Sequence, residues 1–100
     1  MKRIIKLSKR TKNKLEKLLE YLEINWSEKV KKEFISKLDH SLSLIQQNPD
    51  SFQKSNIISG LHTCVITKQT TIYYRYDNKN IYILTLFDNR QNPKKLKKEI

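Results

Sequence analysis

Apolar residues recur along the chain at two different spacings, and the change between them separates a helical first half from a stranded second half. Arg3 to Leu7 alternates apolar and basic positions, the pattern of a short opening strand, and Ser8 or Thr11 supplies a hydroxyl suited to capping a helix start. Leu15, Leu18, Leu19 and Leu22 then return at steps of three and four with Lys and Glu between them, which predicts an amphipathic helix. Asn25-Trp26-Ser27 interrupts that stripe, and Ser27 is a good cap for a second helix carrying Val30, Phe34, Leu38, Leu42 and Ile45. The second helix should stop at Gln47-Asn48, because Pro49 drives the residue before it out of helical conformation. Two helices joined this tightly predict an antiparallel hairpin.

From Asp50 to Ser59 the chain is polar and irregular apart from Phe52 and Ile57-Ile58, and Gly60 punctuates the end. β-formers follow over Leu61 to Lys68, Thr70 to Tyr76 and Ile81 to Phe87, with Asp77-Asn78-Lys79-Asn80 as the turn between the last two. The final run is apolar on both alternations, as an interior strand covered on two faces should be. The order strand, helix, helix, strand, strand, strand predicts an α+β layer structure, a single domain over residues 1–100. Residues 93–100 form a basic tail for which a mobile end and a short terminal helix are both open.

Charge narrows the partners. The chain holds 21 Lys and Arg against 10 Asp and Glu, a net +11, which favours a polyanionic partner: nucleic acid, an acidic protein or an anionic surface. Glu16 is the only acid among the first 19 residues. A lone cysteine, Cys64, set among strand residues, reads as a small buried hydrophobe and fits a reducing cytoplasm. No run approaches the roughly 18 to 20 apolar residues of a membrane span, so no membrane partner is expected. With one glycine, Gly60, the chain lacks any glycine-rich phosphate loop or nucleophile elbow, and no cofactor is expected. His40 and His62 lie far apart without acids or cysteine at ligand spacing, so no metal is expected either.

The order of elements, together with Trp26-Ser27, Asn48-Pro49, Gly60-Leu61-His62-Thr63-Cys64-Val65-Ile66, Tyr73-Tyr74-Arg75-Tyr76 and Leu86-Phe87-Asp88-Asn89-Arg90-Gln91-Asn92-Pro93, resembles the RelE/ParE family of toxins from bacterial toxin–antitoxin modules. The likeness runs over nearly the whole chain. It implies a twisted, mainly antiparallel sheet packed against the N-terminal helix hairpin, and a cognate acidic antitoxin as partner. One branch of the family poisons DNA gyrase; another cleaves mRNA on the ribosome without a metal. The turn from Phe87 to Pro93 looks closer to the gyrase branch, which is the function expected here. A RelE-like endoribonuclease and a non-toxic, antitoxin-binding relic of the fold are the alternatives.

Ribonucleolytic members rely on Lys, Arg and Tyr side chains. In-line attack by a ribose 2′-OH needs a proton acceptor, a cation beside the charged phosphate and a donor for the departing oxygen. Arg90 matches the family's arginine after the last strand, where a planar guanidinium on a rigid strand end is a preorganised anion clamp. Lys68 matches a family lysine. Thr71 or a neighbour stands where those members carry a further arginine, and Leu96 where they carry a C-terminal tyrosine, so two catalytic roles lack matching residues. Arg75 and His62 are weaker catalytic candidates; Arg90, Arg75, Lys94 and Lys95 are candidates for contact with the target or with nucleic acid. Each has a plainer reading: Arg90 paired with Asp88 in the turn, Arg75 on a structural strand face beside Tyr73, His62 in packing, and the lysines as solvated surface.

Overall fold

The computed structural model describes residues 2–100. Strand β1 (Ile4–Leu7) leads into helices α1 (Lys9–Asn25) and α2 (Glu28–Gln47), then a 3₁₀ turn at Pro49–Ser51. Strands β2 (His62–Thr67), β3 (Thr70–Tyr76) and β4 (Asn80–Asp88) follow, and a short helix α3 (Lys94–Glu99) ends the chain. The predicted order is observed, and the tail resolves to the helical alternative. Ser8 caps α1 by accepting from Thr11 N at 3.1 Å, and Ser27 caps α2 by accepting from Val30 N at 3.1 Å. Gly60 ends the irregular segment at φ +87°, a left-handed conformation that a side chain would strain.

The strands form one sheet in the order β1-β4-β3-β2. β2, β3 and β4 are a meander, and β1 lies parallel to β4, pairing Ile4 with Asn80 through Leu7 with Ile83. β4 is therefore interior, as its two-sided apolar pattern demands. Leu84 interrupts its register with β3, where Tyr73 pairs with Thr85 but Tyr74 with Ile83. The extra residue turns Leu86 to the same side as Ile81 and Ile83, facing the helices.

Two apolar clusters result. The larger joins Phe34, Leu38 and Ile45 of α2 to Cys64, Ile72, Tyr74 and the inward residues of β4, with the leucine stripe of α1 packed around it. Tyr74 is fully buried, and its hydroxyl donates to Pro49 O at 2.6 Å, fixing the end of the hairpin to the sheet. Burial pushes its phenol far above the usual tyrosine range. The second cluster lies on the opposite face, where α3 lays Leu96 over Leu61, Tyr73 and Phe87. Arg75 shares that face with Tyr73, as its alternation predicts.

β1 stops at Leu7, so the C-terminal half of β4 would present a bare edge. α1 covers it with side chains. Thr11 Oγ1 donates to Ile83 O at 3.2 Å, and Lys14 Nζ donates to Leu86 O at 3.0 Å and to Thr85 Oγ1 at 3.2 Å. The Thr85 hydroxyl donates on to Glu99, which also pairs with Lys14, so α1, β4 and α3 meet in one polar knot. No helix among the described residues is long and apolar enough to cross a membrane.

Candidate functional site

A cleft of about 650 Å³ opens between the helical hairpin and the end of β4. Its floor is apolar because the leucine stripe of α1 runs beyond the sheet that covers the rest of it: Leu18 and Leu22 continue into Tyr21 and Trp26, facing Val30 and Phe34 of α2. Trp26 stays 68% exposed and Tyr21 49% exposed, so the stripe is only partly covered. The opposite wall comes from the β2–β3 turn and the residues after β4.

The rim is strongly basic. Lys14, Lys17, Lys37, Lys68 and Arg90 line the cleft against two carboxylates, Glu33 and Asp88. Burial, with Arg10 nearby, lowers the Lys14 ammonium below the usual lysine range.

Arg90 and Lys68 both line the cleft, and Asn89, next to Arg90 in the chain, links the two turns that carry them. Its backbone N donates to Gln69 O at 2.8 Å, its amide donates to Lys68 O at 3.3 Å, and its Oδ1 accepts from Thr71 Oγ1 at 2.9 Å. The turn after β4 is thereby stitched to the β2–β3 turn. Arg90 itself is held by Asp88: Nε donates to Oδ1 at 3.0 Å, Nη2 to Oδ2 at 2.8 Å, and the backbone N to Oδ1 at 2.9 Å. The pairing holds the Asp88 carboxyl below the usual aspartate range and raises the Arg90 guanidinium. Thr71, at the position where a further arginine is expected in ribonucleolytic members, is buried and spends its hydroxyl on Asn89.

The other sequence candidates lie elsewhere. His62 begins β2 and stacks on Tyr74 with ring centroids 5.5 Å apart, with Tyr76 at 5.4 Å; its Nδ1 is buried without a hydrogen-bond partner among the described residues. Burial, and then Lys54, lower its pKa from the usual histidine value. Arg75 lies on the sheet face away from the helices, its guanidinium 4.3 Å from the centre of the Tyr82 ring. Lys94 and Lys95 open α3 and are exposed. Leu96 is fully buried in the second apolar cluster. Sequence reasoning missed Lys14, Lys17, Tyr21, Trp26 and Lys37 as parts of the cleft. The available signal was Trp26, one helical turn beyond Leu22 on a stripe that outruns its partner.

Comparison with known proteins agrees with this architecture. The structure matches that of a chromosomal ParDE toxin–antitoxin system from P. aeruginosa with a TM-score of 0.73 and 12% identity, covering 86% of this chain and 95% of that one. It matches the YoeB dimer from Staphylococcus aureus with a TM-score of 0.62 and 19% identity, covering 87% and 97%. The E. coli DinJ-YafQ toxin–antitoxin complex matches with a TM-score of 0.61 and 13% identity, covering 90% and 96%. No curated protein sequence matches the chain. The model of the ParE toxin of the type II toxin–antitoxin system parDE matches residues 5–93, and on that match the chain belongs to the ParE toxin family.

Proposed function

We propose that this toxin inhibits bacterial growth through DNA gyrase and is neutralised by an acidic antitoxin that occupies the cleft. The observation that carries the reading is the composition of the cleft. It gathers Arg90 and Lys68 around an apolar floor, while His62 and Arg75 lie outside it and Leu96 is committed to the core. Phosphoryl transfer to a 2′-OH requires groups that accept and deliver protons near neutral pH. Thr71, where ribonucleolytic members carry a further arginine, is buried on Asn89, and Leu96, where they carry a tyrosine, is in the core, so two of the groups that chemistry uses are missing and the apolar, basic cleft is better suited to gripping a protein segment.

The antitoxin reading follows from the same lining. An amphipathic acidic segment would cover Trp26, Tyr21 and Leu22 with its apolar side and meet Lys17, Lys37, Lys68 and Arg90 with its carboxylates. The similar P. aeruginosa and E. coli structures are of toxin–antitoxin systems, which supports such a partner here. The test is enzymatic: purified chain added to gyrase and relaxed plasmid should block supercoiling or trap cleaved DNA. Unchanged supercoiling with no trapped DNA sinks the gyrase target.

A further inference from the structure

We propose that the sheet face turned away from the helical hairpin, with α3 laid across it, is a separate docking surface whose occupant is the phosphate backbone of duplex DNA. The proposal concerns a surface outside the cleft and goes beyond the reading above.

The face is strongly basic, with Asp77, beside Tyr82 and Arg75, as a carboxylate at its edge. Lys94, Lys95, Lys97 and Lys98 are exposed on α3, and Arg10 Nη1 donates to Lys98 O at 3.2 Å, which sets the start of α1 beside them. Ile5 and Leu7 point to the helices, so Lys6 points the other way; it pairs across the ladder with Tyr82, which pairs in turn with Arg75. Ion pairs among the described residues are Lys14–Glu99, Lys31–Glu23, Lys32–Glu28 and Arg90–Asp88, and none of them neutralises these cations.

Fold stability accounts for only part of the charge: Lys97 and Lys98 lie in the last turn of α3, where cations suit a helix, but the cations at the helix starts do not. Lys9, Arg10 and Lys12 crowd the start of α1, and Lys94 and Lys95 the start of α3, with no acid in either first turn. Helix starts carry partial positive charge and favour acids, so cations there work against the helices that bear them. An anion laid across the surface reverses that sign.

The surface chemistry selects a duplex backbone. Tyr82 is the aromatic of the Lys6–Tyr82–Arg75 row, its ring is overlaid by Arg75 and its hydroxyl is tied to Asp77, so it leaves no open platform for unstacked bases. The exposed aromatics Tyr21 and Trp26 sit at the other end of α1. Sequence-neutral phosphate contact requires only the cations.

The test measures binding of the full chain to a DNA duplex of about two helical turns by fluorescence anisotropy, across roughly 50 to 200 mM salt. The parent should bind with an affinity that falls steeply with salt. Joint Lys94→Gln, Lys95→Gln, Lys97→Gln and Lys98→Gln should weaken binding at least about tenfold and flatten the log–log salt slope by about 3 to 4, near 0.9 per lost phosphate contact. Should that variant melt early, Lys6→Gln with Arg75→Gln, which leaves α3 untouched, carries the test and should flatten the slope by about 2. Lys68→Gln with Arg90→Gln should leave duplex binding unchanged. The proposal is overturned if the face variants bind as the parent does, if the cleft variant alone abolishes binding, or if single-stranded RNA, duplex RNA or polyglutamate binds more tightly than duplex DNA.

Discussion

Asp88 holds Arg90 fork to fork, with both carboxylate oxygens engaged by Nε and Nη2 at 3.0 and 2.8 Å. The arginine at the end of the interior strand is thus oriented before any partner arrives, and an incoming carboxylate or phosphate must share or displace Asp88. Arg90→Ala should abolish growth inhibition while the melting temperature stays near the parent's, because the side chain is largely exposed. Arg90→Lys, which keeps charge but loses the planar fork, should restore only part of the activity. Full toxicity of a folded Arg90→Ala protein would remove Arg90 from the working surface.

Asn89 carries no charge yet ties the turn that carries Arg90 to the turn that carries Lys68. Asn89→Ala should lower affinity for the antitoxin about tenfold, equivalent to about 1.4 kcal/mol, with the rim charges unaltered. Titration calorimetry against the antitoxin expressed from the same module would check this. An unchanged dissociation constant would mean the two turns hold their places without the stitch.

Leu96, the buried residue of α3, anchors it to the sheet, and a six-residue helix has little stability of its own. Leu96→Ala should cost about 2 to 3 kcal/mol in urea unfolding, at the lower end for a buried leucine because the second cluster is small. Tyr74→Phe should cost about 1 to 2 kcal/mol, since it leaves Pro49 O buried without its donor. A Leu96→Ala loss below about 0.5 kcal/mol would show that α3 is not docked as described.

His62 has a folded pKa below its ordinary value, so the unfolded chain binds a proton more readily than the folded one. Stability from this group is complete above the unfolded value near 6.5 and is lost as pH falls from there toward the lowered folded value. The melting temperature should therefore drop between about pH 7.5 and 5.5 in the parent and drop less in His62→Gln. Equal slopes in the two proteins would assign the acid sensitivity to other groups.

Much of the fold was legible because it is written in short-range pattern. Ser8, Ser27 and Pro49 mark helix ends by local hydrogen-bonding and steric rules, and the two-sided apolar run of β4 announces an interior strand. The bulge at Leu84 was not legible: Ile83, Leu84, Leu86 and Phe87 put apolar residues on both alternations, so the pattern cannot show where the register slips. Nor was the covering of β4's open edge by Thr11 and Lys14, which depends on β1 being only four residues long. Arg90 and Lys68, the sequence candidates, both line the cleft, and the pairing of Arg90 with Asp88 that the sequence offered as its plainer reading is present. Lys14 and Lys17 were read only as part of a basic run that could face a partner, and Tyr21, Trp26 and Lys37 were missed, since an amphipathic stripe looks the same whether a sheet or a cleft lies over its last turn.

The central claim is that this toxin acts on DNA topology through a cleft centred on Arg90. Pulse labelling of DNA and protein synthesis in bacteria within minutes of induction, with Arg90→Ala in parallel, addresses it most directly. The account predicts that DNA synthesis falls first and that the variant leaves both unaffected. Early arrest of protein synthesis, with new 5′ ends in translated messages, would contradict it.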